Sequence, residues 1–255
     1  MDVALLTLLQ ALLAIGVRIS GVMLFAPFLG SVVVPARIKA ILTLALTCVM
    51  YPLLSRSLPQ LPLEHWPLLV FRELLVGIAV GIATSFVFEA AQMAGQILSV
   101  QMGYSLVNIM DPTTQIDTTV VGVLHQSIAL LIFLRLDVHL WILRALGNSF
   151  LYLPPGSSHL SRPFMLSFLN AGSAILSTGV QIAAPVLLAT LLTDIVLGFL
   201  GKASPQLPLM VMGPAVKSLL GLAVLFTAMK YWPDMFRNLF VRSVDYANHL
   251  LYLAR

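Results

Sequence analysis

Long apolar runs, separated by short groups of charged residues, prolines and glycines, dominate the pattern of this chain. From Pro163 to Thr193, thirty-one residues pass without a charged side chain. A helix needs about 20 consecutive apolar residues to cross a bilayer. The pattern therefore predicts an integral membrane protein whose secondary structure is all-α.

Six hydrophobic helical segments are predicted where the apolar runs end at charge, proline or glycine. They cover residues 3–25, 38–54, 68–101, 120–152, 164–200 and 207–231, and an amphipathic C-terminal tail follows over 232–255. The third and fifth segments are long enough to bend or break, and Pro185 should kink the fifth. We predict a polytopic fold of helical hairpins, some kinked or broken, in which residues 1–255 form a single integral-membrane domain.

Composition strengthens the membrane prediction. Hydrophobic residues make up 59% of the chain and charged residues 9%, whereas soluble domains carry about 25% charged residues. The net charge of +4 comes from basic residues scattered between the apolar runs, as expected beside membrane helices. We therefore expect contact with membrane lipid and no nucleic acid partner. Cys48 is the single cysteine, which excludes an internal disulfide.

Catalytic and cofactor-binding patterns are missing from the sequence. The five histidines, at positions 65, 125, 139, 159 and 249, lack the spacing of metal ligands. No phosphate-binding loop or dinucleotide fingerprint occurs, and Val107 stands where a Gly-x-Ser-x-Gly elbow needs its second glycine. We predict that the protein is not an enzyme and has no catalytic residue, cofactor or metal.

Small residues recur at helical spacing in the third segment. One row consists of Gly77, Gly81 and Ser85, and a second includes Gly95. Such rows let membrane helices approach closely. They predict close helix packing, either against another subunit or within the chain.

Four charged residues lie inside or close to apolar runs, namely Arg18, Glu89, Asp194 and Lys217. An unpaired charge there costs at least about 2.5 kcal/mol. Asp194 and Lys217 lie at similar distances on either side of the Pro205–Pro208 turn, so an antiparallel hairpin would bring them to the same depth. We predict a structural salt bridge between them, with a proton or ion relay as the alternative.

The second half of the third segment is unusually polar for a membrane span. Gln92, Gln96, Gln101 and Asn108 would be costly against lipid but comfortable against protein or water. A turn-forming segment follows, and non-helical backbone at membrane depth is tolerated where it lines a cavity or is buried in protein. The stretch is typical of a pore-side loop, and an ordinary exterior loop remains the alternative.

Several stretches, taken in order, resemble one family. The first are Arg18-Ile19-Ser20-Gly21, Ala26-Pro27 and Val34-Pro35-Ala36-Arg37. Those of the middle are Glu89 to Gln96, Gln101 to Ser105, Asp111-Pro112, His139-Leu140-Trp141 and Ser149-Phe150 to Leu153-Pro154. The last are Ala184-Pro185-Val186, Leu191 to Asp194 and Gly198 to Gln206. Together they resemble the flagellar biosynthetic FliR family, with its SpaR, YscT and HrcT counterparts in virulence secretion.

The resemblance implies an export-gate subunit of a flagellar type III secretion system in the bacterial inner membrane, at the flagellar basal body. It implies assembly with FliP- and FliQ-like subunits, with FlhB- and FlhA-like subunits nearby, and unfolded flagellar proteins as the exported substrate. The family's plug loop maps onto Tyr104, Ser105, Leu106, Val107, Asn108, Ile109, Met110, Asp111 and Pro112. This loop carries aliphatic side chains where relatives often carry aromatic ones, and sealing by dewetting suits either.

Three alternatives stay open. The first is the same role in a virulence secretion system, where the resemblance is weaker than to the flagellar branch. The second is a small transporter or channel that acts alone. The third is a structural scaffold without a gate.

Overall fold

A computed structural model describes residues 3–27, 30, 34–54, 62–104, 119–157, 161–204, 206 and 209–254. Within these residues all regular secondary structure is helical, which confirms the all-α prediction. The described part of the chain forms eight α-helices: α1 (Val3–Phe25), α2 (Ala36–Leu54), α3 (Trp66–Gln101), α4 (Val120–Arg135), α5 (Val138–Tyr152), α6 (Arg162–Ala203), α7 (Leu209–Ala228) and α8 (Trp232–Leu253). Short 3₁₀ turns precede α3 and α8.

Among the predicted segments, the fourth, over 120–152, is interrupted, whereas the third and fifth were expected to bend or break. The fourth segment divides into α4 and α5 at Asp137, whose φ of 54° lies in the left-handed region. Aspartate tolerates this conformation better than most residues because its short side chain can hydrogen-bond locally. By contrast, α3 and α6 continue without interruption for 36 and 42 residues, and α6 runs through Pro185.

Four stretches of the described chain are long and apolar enough to cross a membrane. They are Leu6–Phe25, Trp66–Gln101, Arg162–Ala203 and Met212–Leu253. A shorter apolar helix, Val120–Arg135, accompanies them. The polytopic prediction is confirmed, since several helices satisfy the length that a bilayer demands.

The chain divides into two compact units. The first consists of 1–86, 133–172 and 239–255, and the second of 87–132 and 173–238. Each boundary falls inside one of the helices α3, α4, α6 and α8. The integral-membrane domain over 1–255 stays a prediction.

The core of the first unit is built from α1, α3, α5 and the end of α8, through side chains such as Ile15, Val80, Phe150 and Leu250. The backbones of α1 and α3 touch where both carry glycine. A Cβ placed on Gly77 would lie 2.3 Å from the carbonyl oxygen of Arg18. Gly81 also packs against α1, so two members of the first small-residue row serve packing within the chain, while Ser85 is half-buried.

The second unit packs the distal half of α3 against α4 and α6. A Cβ on Gly95 would lie 2.3 Å from the Cα of Gly122 in α4, and one on Gly179 would lie 3.2 Å from the carbonyl oxygen of Ala90. Small residues again allow close backbone approach.

Helix α8 is amphipathic over the predicted tail. Its buried residues recur every three or four positions, as an α-helix with one packed face requires. They are Trp232, Phe236, Leu239, Phe240, Ser243, Ala247, Leu250 and Leu251. The charged residues Asp234, Arg237, Arg242 and Asp245 lie on the exposed side.

Candidate functional site

Helix α3 ends in a Schellman motif immediately before the segment that was predicted to be a pore loop. The Tyr104 N–H donates to the Ser99 carbonyl oxygen at 2.9 Å, and the Gly103 N–H donates to that of Val100 at 3.2 Å. Gly103 has a φ of 86°, which glycine adopts without the penalty of a Cβ. The sequence therefore fixes a sharp helix end at this point.

Most of the predicted plug lies outside the described residues. This holds for Ser105, Leu106, Val107, Asn108, Ile109, Met110, Asp111 and Pro112. Tyr104 is described, and it stands at the end of the Schellman motif.

A polar junction joins the end of α3 to α6 and α7. The Gln101 side-chain amide donates to Oδ2 of Asp194 at 3.2 Å. The ammonium group of Lys217 forms a salt bridge with Oδ1 of the same carboxylate. The pairing expected from the hairpin is therefore present, and Gln101 supplies a partner that the sequence did not reveal.

Two further contacts fix the end of α3 on α7. The Ser218 hydroxyl hydrogen-bonds to the Tyr104 hydroxyl at 2.5 Å. Met102 is buried, and its side chain covers Gly221, where a Cβ would come within 2.8 Å of the methionine methyl carbon. Ser218 and Gly221 thus present one face of α7 to the end of α3.

The chain that returns from the loop is also attached to α3. Thr119 caps the start of α4, because its hydroxyl accepts from the Gly122 N–H at 3.1 Å. The same hydroxyl donates to the Gly95 carbonyl oxygen at 3.5 Å. Both ends of the segment 105–118 are therefore held within the second unit.

Glu89, Gln92 and Gln96 share a face of α3 over two turns. Glu89 and Gln96 are exposed at the surface of this chain, and Gln92 and Gln101 are half-buried. Burial of these groups within a protein, as expected from the sequence, would need a partner subunit and stays a prediction. Facing hydrocarbon would be costly for a carboxylate, so this face points to water or to polar groups of another chain.

A second polar cluster lies in the first unit, around Arg18. The Arg18 Nε donates to Oε2 of Glu73 at 2.6 Å, and both side chains are fully buried. The Arg18 Nη1 donates to the carbonyl oxygens of Ser149 and Leu153 at 3.0 and 2.9 Å, and the guanidinium lies 4.4 Å from the ring centroid of Phe150.

Glu73 was missed in the sequence. Its Oε1 accepts the Gly156 N–H at 3.0 Å, so this carboxylate ties α1 and α3 to the turn after α5. One signal could have found it: Glu73, Gly77 and Gly81 are four residues apart and therefore share the face of α3 that meets α1.

No group of three or more His, Cys, Asp or Glu that could hold a metal occurs among the described residues. What the structure does offer is a polar junction of three helices beside the two ends of a loop. This arrangement positions the end of α3 against α6 and α7.

A family model described as bacterial export proteins, family 1, matches residues 9–243. The flagellar biosynthetic protein FliR of Escherichia coli (strain K12) is 30% identical over 230 residues, which cover 88% of this chain and 85% of that protein. FliR of Bacillus subtilis (strain 168) is 29% identical over 256 residues, or 98% of each chain. The secretion system apparatus protein SsaT of Salmonella typhimurium is 26% identical over 193 residues, covering 70% of this chain and 74% of that protein. Since the family model spans nearly the whole chain, the protein belongs to the bacterial export proteins, family 1.

Proposed function

We propose that the protein is an export-gate subunit of a flagellar type III secretion system. The observation that carries this proposal is the similarity to FliR of Bacillus subtilis, which extends over 98% of both chains. The protein is an integral membrane component of an export apparatus, and it contributes structure and part of a conduit.

The partners of the chain and its location in the cell are also proposed. We propose FliP- and FliQ-like subunits as direct partners, with FlhB- and FlhA-like subunits nearby, and unfolded flagellar proteins as the cargo. The complex would sit in the inner membrane at the base of the flagellum. The polar face of α3 supports an assembled state, because an isolated chain in the bilayer would present the exposed Glu89 and Gln96 to lipid.

The segment 104–112 is proposed as the plug of the resting passage. Two observations support it: the helix end at Gly103 and the Thr119 cap attach both ends of the loop to α3. The loop also carries Leu106, Val107, Ile109 and Met110. Aliphatic side chains of this kind exclude water from a narrow passage and so block ions.

A role in virulence secretion is the second candidate, and the similarity to SsaT favours it. That similarity covers less of the chain than the flagellar one. The motility of the host bacterium distinguishes the two roles. Loss of the chain should abolish motility if the chain serves flagellar export, and leave motility intact if it serves virulence secretion.

Deletion of residues 106–112 tests the plug. Cells that carry the deletion should become permeable to small solutes that the intact chain excludes, since the apolar barrier is gone. Lys202→Gln, at the exposed end of α6, is the control variant. A tight membrane in the deletion strain would contradict the plug and favour a scaffold without a gate.

A further inference from the structure

We propose that Asp194 and Lys217 are positioning residues of the export passage: their ion pair is a releasable clamp that holds the end of α3 against α6 and α7 in the resting state. The inference rests on the proposed function. The residues of the clamp all lie in the second unit and are all described by the structure.

Contacts from three helices converge on Asp194. Asp194 on α6 receives Lys217 from α7 on one carboxylate oxygen and Gln101 from α3 on the other. One side chain thus joins three helices. On α7, Ser218 and Gly221 lie close to Lys217. They contact Tyr104 and Met102, which directly follow the end of α3. Displacement of α7 from α6 would therefore act directly on the helix end from which the loop departs.

Two ion pairs of the same chain differ in their burial. Arg18 and Glu73 are both 0% exposed, and three further hydrogen bonds surround the guanidinium. The side chains of Lys217 and Asp194 are 21% and 40% exposed. A fully buried pair is costly to break, whereas the charges of a half-buried pair can be reached by water or other polar groups once they separate. The first is suited to a permanent joint and the second to one that opens.

An open apolar groove of ≈ 570 Å³ lies between α6 and α7 beside the clamp. Its lining includes Thr193 and Val216, the neighbours of the two charged residues. Side chains along a groove make fewer contacts across it and gain less dispersion energy than those of a closed interface. The polar junction therefore adds to a contact between α6 and α7 that is incomplete on this side.

Charge variants test the clamp in cells that carry the whole export apparatus. Asp194→Asn and Lys217→Gln should each raise the resting permeability to small solutes severalfold above that of the unaltered chain, because each removes the ion pair. The exchange Asp194→Lys with Lys217→Asp should restore a tight membrane, because the attraction is re-formed. Lys202→Gln is the matched control: it removes a lysine from α6 that forms no ion pair with any described residue.

A reversible cross-link tests the release step more directly. A Cβ on residue 221 would lie 2.9 Å from Met102 Cγ, so cysteines at 102 and 221 would have β-carbons within about 4.5 Å, inside disulfide range. In a Cys48→Ser background, Met102→Cys with Gly221→Cys should export substrate when reduced and stop when oxidised. The control pair is Gly16→Cys with Thr47→Cys, which joins α1 to α2, where a Cβ on Gly16 would lie 3.4 Å from Thr47 Oγ1.

The outcomes separate the clamp from the proposed function. Should a strain without this chain remain fully motile, the proposed function fails and the clamp with it. Should that strain lose export while the charge variants match Lys202→Gln, the clamp alone is wrong. Undiminished export through a fully oxidised 102–221 cross-link would also overturn the clamp, and a block that the 16–47 cross-link does not reproduce supports it.

Discussion

At the scale of single residues, Arg18 shows how a charge is accommodated inside an apolar unit. Moving both partners out of water costs several kcal/mol each, and only good geometry offsets this. Here Glu73, two backbone carbonyls and the ring of Phe150 surround the guanidinium. The cluster fixes α1, α3 and the turn after α5 in one arrangement.

Glu73→Gln should therefore destabilise the protein by about 3–5 kcal/mol, because Arg18 would remain buried without a counter-charge. The measurement is the thermal midpoint of the detergent-purified protein, together with its abundance in membranes. Glu89→Gln is the matched control, since it neutralises an exposed carboxylate on the same helix. Equal midpoints for the two variants would contradict the role given to the buried pair.

At the scale of helices, glycines decide how closely neighbours approach. The backbones of α1 and α3 meet at Gly21 and Gly77, where a Cβ on Gly21 would lie 2.8 Å from the Leu74 carbonyl oxygen. Backbone atoms on both sides leave no flexible side chain to yield. Gly198 in α6 makes no such close approach, since a Cβ placed on it would meet nothing within 4 Å.

Gly77→Ala should cost about 1–3 kcal/mol through overpacking of the α1–α3 contact. Gly198→Ala should be neutral or stabilising by up to about 1 kcal/mol, because alanine favours the helix and meets open space. The measurement is the thermal midpoint of the Gly77→Ala and Gly198→Ala proteins in detergent. A Gly77→Ala protein as stable as the Gly198→Ala one would refute the close contact.

Sequence patterns predicted the helices well because apolar runs end where charge, proline or glycine makes continuation costly. α1 and α3 begin and end within two residues of the predicted limits. The break at Asp137 was not anticipated, since neither proline nor glycine marks it. The Asp194–Lys217 pair followed from hairpin symmetry alone, whereas the Arg18–Glu73 pair requires the register of α1 against α3, which one sequence does not contain.

At the scale of the whole molecule, the polar face of α3 requires surroundings other than lipid. Spin labels at Glu89 and Gln96 in native membranes should therefore report water or immobilising protein contacts. A label at Leu188, an exposed leucine of α6, provides the comparison for an apolar site. If the labels at 89 and 96 were immersed in hydrocarbon without protein contact, the polar face would not be directed to water or to another chain.

The most direct test is the native mass of the complex that contains this chain, extracted from its own membranes in mild detergent through a tag on the chromosomal copy. An export-gate subunit should be recovered in a large hetero-oligomer of several times the 27.7 kDa of one chain, with FliP- and FliQ-like subunits in fixed proportion. Recovery of the chain alone, or only as copies of itself, with transport retained after purification, would contradict the proposed function.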